Sequence, residues 1–123
     1  MFGFRQHVEV FQELGQDVRR IVASDGGAAS RVWMQIAADV LGMPVQLLAG
    51  HPGSCLGAAY VAGVGIGAIE GWDAITRFVT PAATIEPDPA NIARYSDHYG
   101  LYRETYERLK PLYPRLGASA GSS

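Results

Sequence analysis

Apolar residues recur at helical spacing at the start of the chain and again near its end. Phe4, Val8 and Phe11 stand at i, i+4 and i+7, with Leu14 closing the stripe and Arg5, Glu9, Gln12 and Glu13 largely off it. This predicts a helix over 2–14. Gly15 follows where a helix end favours positive φ. "VRRIVA", 18–23, is a short β-rich run that reads as a buried strand. "RVWMQIAADVLG", 31–42, is the clearest helix: Val32, Trp33, Ile36, Ala37, Val40 and Leu41 form one face, and Arg31, Gln35 and Asp39 the other. Gly42 ends it. Pro44 biases Met43 away from the helical region, so "MPVQLLA" resumes extended structure.

The second half is less regular. "PGSCLGAAYVAGVGIGAIEG", 52–71, reads as a helix of small residues, with Ala59, Gly63 and Gly67 four apart and Ala58 and Ala62 beside them. Each interior glycine costs roughly 1 kcal/mol against alanine, so such a helix is expected to lie close to another backbone. "GWDAITRFV" reads as one or two further turns, and "TPAATIEPDPA" as a proline-rich extended connection. Asp88 then reads as an N-cap with Pro89 at N1. Ile92, Tyr95, Tyr99, Tyr102, Tyr106, Leu109 and Tyr113 alternate spacings of three and four along the last helix, until Pro111 and Pro114 interrupt it. A helix laid across a neighbouring face accounts for this seam better than a coiled coil, because the stripe lasts only about three heptads.

The order helix–strand–helix–strand–helix, then a C-terminal helix, contains one right-handed parallel βαβ crossover. Two strands make a poor sheet, since a parallel pair needs both faces covered and its edges paired. The pattern therefore looks like part of a larger α/β domain. Composition agrees with a folded core: 123 residues, 48% hydrophobic and 18% charged. A net charge of −2 without a basic block gives no reason to expect nucleic acid. The weakly polar stretch 55–69 is too short and glycine-rich for a comfortable membrane span, and the N-terminus lacks the apolar core of a signal peptide. One cysteine, Cys55, fits a reducing compartment, so the expected location is cytoplasmic.

The candidate chemistry lies in "VASDGGAASRVW", 22–33, where a strand runs into the chain's least bulky residues and then a helix. Helix N-termini leave N–H groups unpaired and carry partial positive charge, so phosphates bind there when nothing bulky intervenes. Gly26 and Gly27 give access, and Ala28 and Ala29 obstruct little. Ser30 either caps the helix or offers a hydroxyl. An ordinary tight turn with a serine cap explains the same residues. The stretch is neither a GxGxxG fingerprint nor a P-loop, which needs a lysine.

Further pieces in order change the weighing: Trp33, Gln35-Ile36, Ala38-Asp39, Gly42-Met43-Pro44-Val45, Leu56-Gly57-Ala58-Ala59, Pro87-Asp88-Pro89 and Leu109-Lys110-Pro111-Leu112-Tyr113. Together with the glycine turn, this ordered set resembles the C-terminal domain of the FGGY family of carbohydrate kinases, over about residues 2–115. The resemblance implies part of a ribonuclease-H-like, actin/hexokinase-type α/β domain. Residues 1–115 would be an incomplete, nucleotide-side domain and 116–123 a flexible tail. It implies ATP, with Mg²⁺ held jointly with an N-terminal domain, and transfer of the γ-phosphate to a sugar hydroxyl. By closeness of motif style, the sugar is a pentulose such as xylulose or ribulose. Carried over by position, Gly26, Gly27 and Ala28 would approach the α-phosphate and ribose, and Arg31 would border the adenosine; Ser30 joins this nucleotide-binding set. Asp25 departs from the pattern, standing where many members have a first glycine. Ser54 and Cys55 stand where alanines are common and read as small packing residues.

In that family the general base and most sugar contacts lie in the N-terminal domain, and no catalytic residue is identified here. His7, His51 and His98 lack ligand spacing, so no protein-only metal site is expected. Phosphoryl transfer needs positioning and charge from both sides of the substrate, so this chain alone is expected to be inactive, meeting sugar only within a full-length kinase. The second reading is a non-catalytic module that self-associates, as a homo-oligomer, through an exposed sheet edge or the tyrosine seam. An unrelated Rossmann-like nucleotide binder is weaker, because the fingerprint glycines and the acidic residue after a second strand are missing.

Overall fold

The computed structural model describes residues 1–24, 26–50 and 53–120. Its elements in chain order are α1 (Phe2–Glu13), β1 (Ile21–Ala23), α2 (Arg31–Leu41), β2 (Val45–Leu48), α3 (Ser54–Gly65), β3 (Pro81–Ile85), α4 (Pro89–Leu109) and α5 (Tyr113–Ala120). Short 3-10 helices occupy Gly26–Ala29, Trp72–Phe78 and Lys110–Leu112. The last of these is the interruption expected from Pro111, after which α5 resumes. The expected tail at 116–123 begins inside α5, and its last three residues lie outside the described residues.

β1 and β2 run parallel, with Ile21 opposite Val45 and Ala23 opposite Leu47, as the βαβ reading requires. The sheet has a third strand, however. The stretch read as a connection, 80–90, contains β3, antiparallel to β2 with Val45 opposite Ile85 and Gln46 opposite Thr84. Pro81 opens this strand at the sheet's edge, the position where a missing N–H is tolerated. The strand order β1–β2–β3 leaves β1 at the other edge.

The core is small and sits where α2 crosses the sheet: Met34, Ala37, Ala38, Val45 and Ile85, with Met1, Ile21, Ala23, Ala28 and Leu47 packed around it. α2 therefore buries a face rotated from the expected one. Val32 is 72% exposed and Trp33 43%, whereas Met34, Ala38 and Asp39 are buried. The reason is that α2 is covered on two sides, by the sheet and by α4, so the Gln35 and Asp39 side is not a solvent face. Gly42 ends α2 in the left-handed region at φ 64, which glycine adopts without a Cβ penalty.

α1 also turns a different face inward. Phe4, Phe11 and Leu14 are exposed, while Phe2 packs on the Tyr99 and Tyr102 rings at 5.7 and 5.4 Å. Arg5 lies over the Tyr99 ring at 4.3 Å and donates to the Ser96 hydroxyl. On the tyrosine seam only Tyr99 is buried; Tyr102, Tyr106 and Tyr113 stay more than two-fifths exposed. α3 has one buried residue, Tyr60, held by Trp72 and Phe78 and donating its hydroxyl toward the Gly71 and Trp72 carbonyls. The close approach expected of its small residues is not to another backbone: at Gly63 it is the Ile69 side chain that occupies the space a Cβ would need, and Gly57 and Gly65 face open space. Ala58, Ala59 and Ala62 face outward, as do Ser54 and Cys55, which were expected to pack.

Candidate functional site

The candidate turn sits between the C-terminal end of β1 and the N-terminus of α2. Gly26, Gly27, Ala28 and Ala29 form one 3-10 turn, and Ser30 follows in extended geometry as the N-cap. The Ser30 hydroxyl accepts the Trp33 backbone N–H at 3.3 Å, and its own N–H donates to the Gly27 carbonyl at 3.4 Å. Ser30 thus acts as a cap. Arg31 is the first residue of α2, exposed and without an ion pair among the described residues. The five predicted residues, Gly26, Gly27, Ala28, Ser30 and Arg31, therefore lie on one short segment, all exposed except Ala28, which is half-buried against the core. Asp25 lies outside the described residues.

Among the described residues, neither backbone conformation nor packing requires the two glycines. Neither has positive φ. A Cβ added to Gly26 would meet nothing within 4 Å, and one added to Gly27 would make only ordinary contact, 3.9 Å from Cδ1 and Nε1 of Trp33. Alanine would fit both positions among the described residues: the absent Gly26 side chain leaves open space, and the absent Gly27 side chain leaves a gap beside Trp33. No acidic residue lies in the first turn of α2, and the helix dipole and Arg31 both favour an anion there.

Ser24, Gly27, Ala28 and Trp33 help line a mainly apolar cleft of about 410 Å³. Phe4 and Leu41 line the same cleft. Among the described residues no three His, Cys, Asp or Glu side chains gather as metal ligands. His7 on α1 and His98 on α4 are exposed, and His51 lies outside the described residues. No described helix is long and apolar enough to cross a membrane.

Asp39 was missed as an organising residue. It is only 2% exposed, and its carboxylate accepts from Gln35 Nε2 at 2.9 Å, Asp88 N at 2.8 Å and Asn91 Nδ2 at 2.9 Å. Burial pushes its pKa up, but the bonds from Asp88, Gln35 and Asn91 outweigh this and hold it below the ordinary aspartate value. Gln35 also reaches the Glu86 carbonyl at 2.9 Å. The network fixes α2, and with it the turn at its N-terminus, to the start of α4. The signal for it was a Gln–Asp pair at i, i+4 with an Asn three residues after the Asp88 cap.

Residues 1–66 match the C-terminal domain of the FGGY family of carbohydrate kinases. The chain belongs to this family. The match includes the whole glycine turn and α2. Over 116 residues the chain is 31% identical to xylulose kinase of Bacillus subtilis, covering 94% of this chain and 23% of that kinase. It is 34% identical over 122 residues to ribulokinase of Mycolicibacterium smegmatis, covering 94% of this chain and 21% of that enzyme. In structure it is similar to xylulose kinase from Rhodospirillum rubrum, with a TM-score of 0.74 and 46% identity over 91% of this chain and 23% of that one. The FGGY sugar kinases have the ribonuclease-H-like fold, and the sheet and helices of this chain are a portion of it. The chain spans less than a quarter of the length of these relatives.

Proposed function

We propose that this chain supplies the nucleotide-holding face of an ATP-dependent carbohydrate kinase whose sugar is a pentulose. The observation that carries the reading is the Gly26–Gly27 pair: glycines that neither φ nor internal packing requires, at the mouth of α2. Backbone N–H groups of the turn would face the phosphates, and Arg31 would border the adenosine. Ser30 would hold the helix start rather than contact the ligand, because its oxygen already accepts the Trp33 N–H. When bound, ATP with Mg²⁺ supplies the phosphoryl group for the sugar hydroxyl. The open surface of Gly26 and the absence of acids in the first turn of α2 fit that polyphosphate. Xylulose and ribulose kinases among the relatives support the pentulose.

The test is calorimetric titration with Mg-ATP and Mg-ADP, repeated on Gly27→Val. Binding that disappears in a folded variant supports the reading. No heat at millimolar nucleotide, or equal binding by the variant, removes it. On its own the chain is expected to show no turnover, since phosphoryl transfer needs groups on both sides of the cleft.

A second reading, self-association, is favoured by the exposed Phe4, Phe11 and Leu14 on α1 and by the edge position of β1. Sedimentation across a concentration series decides it: a constant monomer mass would end this reading.

A further inference from the structure

We infer that Trp33 is a positioning residue for the nucleotide turn, acting as the rigid floor on which Gly26–Ala28 is held. The inference rests on the nucleotide role proposed for that turn. A segment with two adjacent glycines has little stiffness of its own, since glycine has the widest backbone freedom of any residue. Something must restrict it if its N–H groups are to meet a phosphate without a large ordering cost.

Trp33 is placed to do this in two ways. Its indole flanks Gly27, with Cδ1 and Nε1 both 3.9 Å from the point where a Gly27 Cβ would stand. Apart from the turn's own backbone and the two chain neighbours, no other described residue comes within 4 Å of that point. Its backbone N–H is bound by the Ser30 hydroxyl, which ties the indole's own residue to the end of the turn. The indole also walls the apolar cleft beside Ser24, Gly27 and Ala28. Yet Trp33 is 43% exposed and is absent from the buried core of Met34, Ala37, Ala38, Val45 and Ile85. A large aromatic left nearly half exposed contributes less to core stability than its size allows. Its place beside the missing Gly27 side chain, and the bond of its N–H to Ser30, give it a role in shaping that turn.

The chain has two tryptophans, and Trp72 belongs to the separate 3-10 helix Trp72–Phe78 packed on Tyr60. A Trp72→Phe background therefore leaves Trp33 as the sole indole reporter. Titration with Mg-ADP is expected to change Trp33 emission saturably, with the same midpoint as the calorimetric heat. Trp33→Leu, measured at a temperature where circular dichroism shows it folded, is expected to bind Mg-ADP about five- to tenfold more weakly. Trp33→Phe, which keeps a flat ring against Gly27, is expected to recover most of the loss. A purely structural tryptophan would lower the melting temperature, but leave both the affinity of the folded protein and the emission unmoved.

Unchanged affinity in folded Trp33→Leu, or flat emission alongside measurable heat, overturns the inference and leaves the nucleotide reading standing. Absence of heat in every protein overturns both. If Trp33→Leu does not fold, Trp33→Met, which also lacks a flat ring, takes its place with the same two outcomes.

Discussion

The carboxylate of Asp39 accepts the backbone N–H of Asp88 at 2.8 Å, joining residues 49 positions apart. Asp88 is itself the N-cap of α4, its side chain accepting the Ala90 N–H at 2.9 Å. One buried acid thus holds the start of α4 against α2, the helix that presents the glycine turn. Asp39→Ala would leave the Asp88 N–H and the Asn91 amide without this acceptor, while Gln35 keeps only Glu86. The expected loss is about 2–4 kcal/mol of unfolding free energy, because a buried donor left unpaired costs its desolvation. Urea unfolding monitored by circular dichroism measures it. A loss under about 1 kcal/mol would mean that water replaces the carboxylate without penalty.

The same residue predicts an acid limb. Its folded pKa is depressed, so protonation favours the unfolded chain. The stability it contributes is fully present above the unfolded aspartate value and is lost as pH falls through the lower folded value, a window below about pH 4. Asp39→Asn, which cannot titrate, is expected to be less stable at neutral pH and to show a flatter stability profile in that window. Parallel acid limbs for the two proteins would assign the loss to other carboxylates.

Much of this fold was legible from local pattern. Asp88 with Pro89 marked the start of α4, Gly42 the end of α2, and "VRRIVA" with "MPVQLLA" the parallel pair. These are short-range signals, set by caps, turns and propensity. What escaped depends on partners distant in the chain. Asp39 looked like a solvent-face residue because the donors that permit its burial lie at Asp88 and Asn91. The strand Pro81–Ile85 was hidden by flanking prolines and two alanines, and becomes a strand because β2 offers an unpaired edge. The stripe of Phe4, Phe11 and Leu14 is real in sequence but stays largely exposed, while Phe2 and Arg5 of α1 meet α4. The strand-to-helix turn of small residues was readable as a turn capped by Ser30. The half-exposed position of Trp33 was not, because periodicity assigned that indole to the core face.

Tyr99 predicts an alkaline transition. Its hydroxyl donates to Glu9 Oε2 at 2.5 Å, beneath Arg5 and beside Arg103. Burial, then the hydrogen bond to Glu9 and its charge, push the phenol up to about 12, against the opposing pull of Arg103 and Arg5. The neutral phenol is the form the fold favours. Its contribution is therefore complete below the unfolded value near pH 10 and lost as pH rises toward about 12. Tyrosinate absorbance should show one late-titrating tyrosine that is missing in Tyr99→Phe. That variant should also lose about 1–3 kcal/mol at neutral pH, since a hydrogen bond to a charged group is removed. A uniform titration near pH 10 in the folded protein would place Tyr99 in water instead.

Gly27→Ala separates folding from binding at the turn. The added methyl would meet Trp33 at 3.9 Å, ordinary contact distance, and Gly27 does not have the positive φ that would penalise a side chain. Loss of glycine's freedom in the unfolded state stabilises a compatible position by about 0.4–1 kcal/mol. The variant is therefore expected to be at least as stable as the parent protein. If the turn is kept free of side chains to admit a phosphate, the same methyl, though directed at Trp33, narrows that approach, and Mg-ADP affinity should fall about tenfold, equivalent to roughly 1.4 kcal/mol. Thermal unfolding and calorimetric titration of the one variant give both numbers. Stability retained with affinity lost marks a glycine kept for a ligand. Stability lost instead would mean that the turn needs glycine for its own conformation, and the nucleotide would no longer explain the pair.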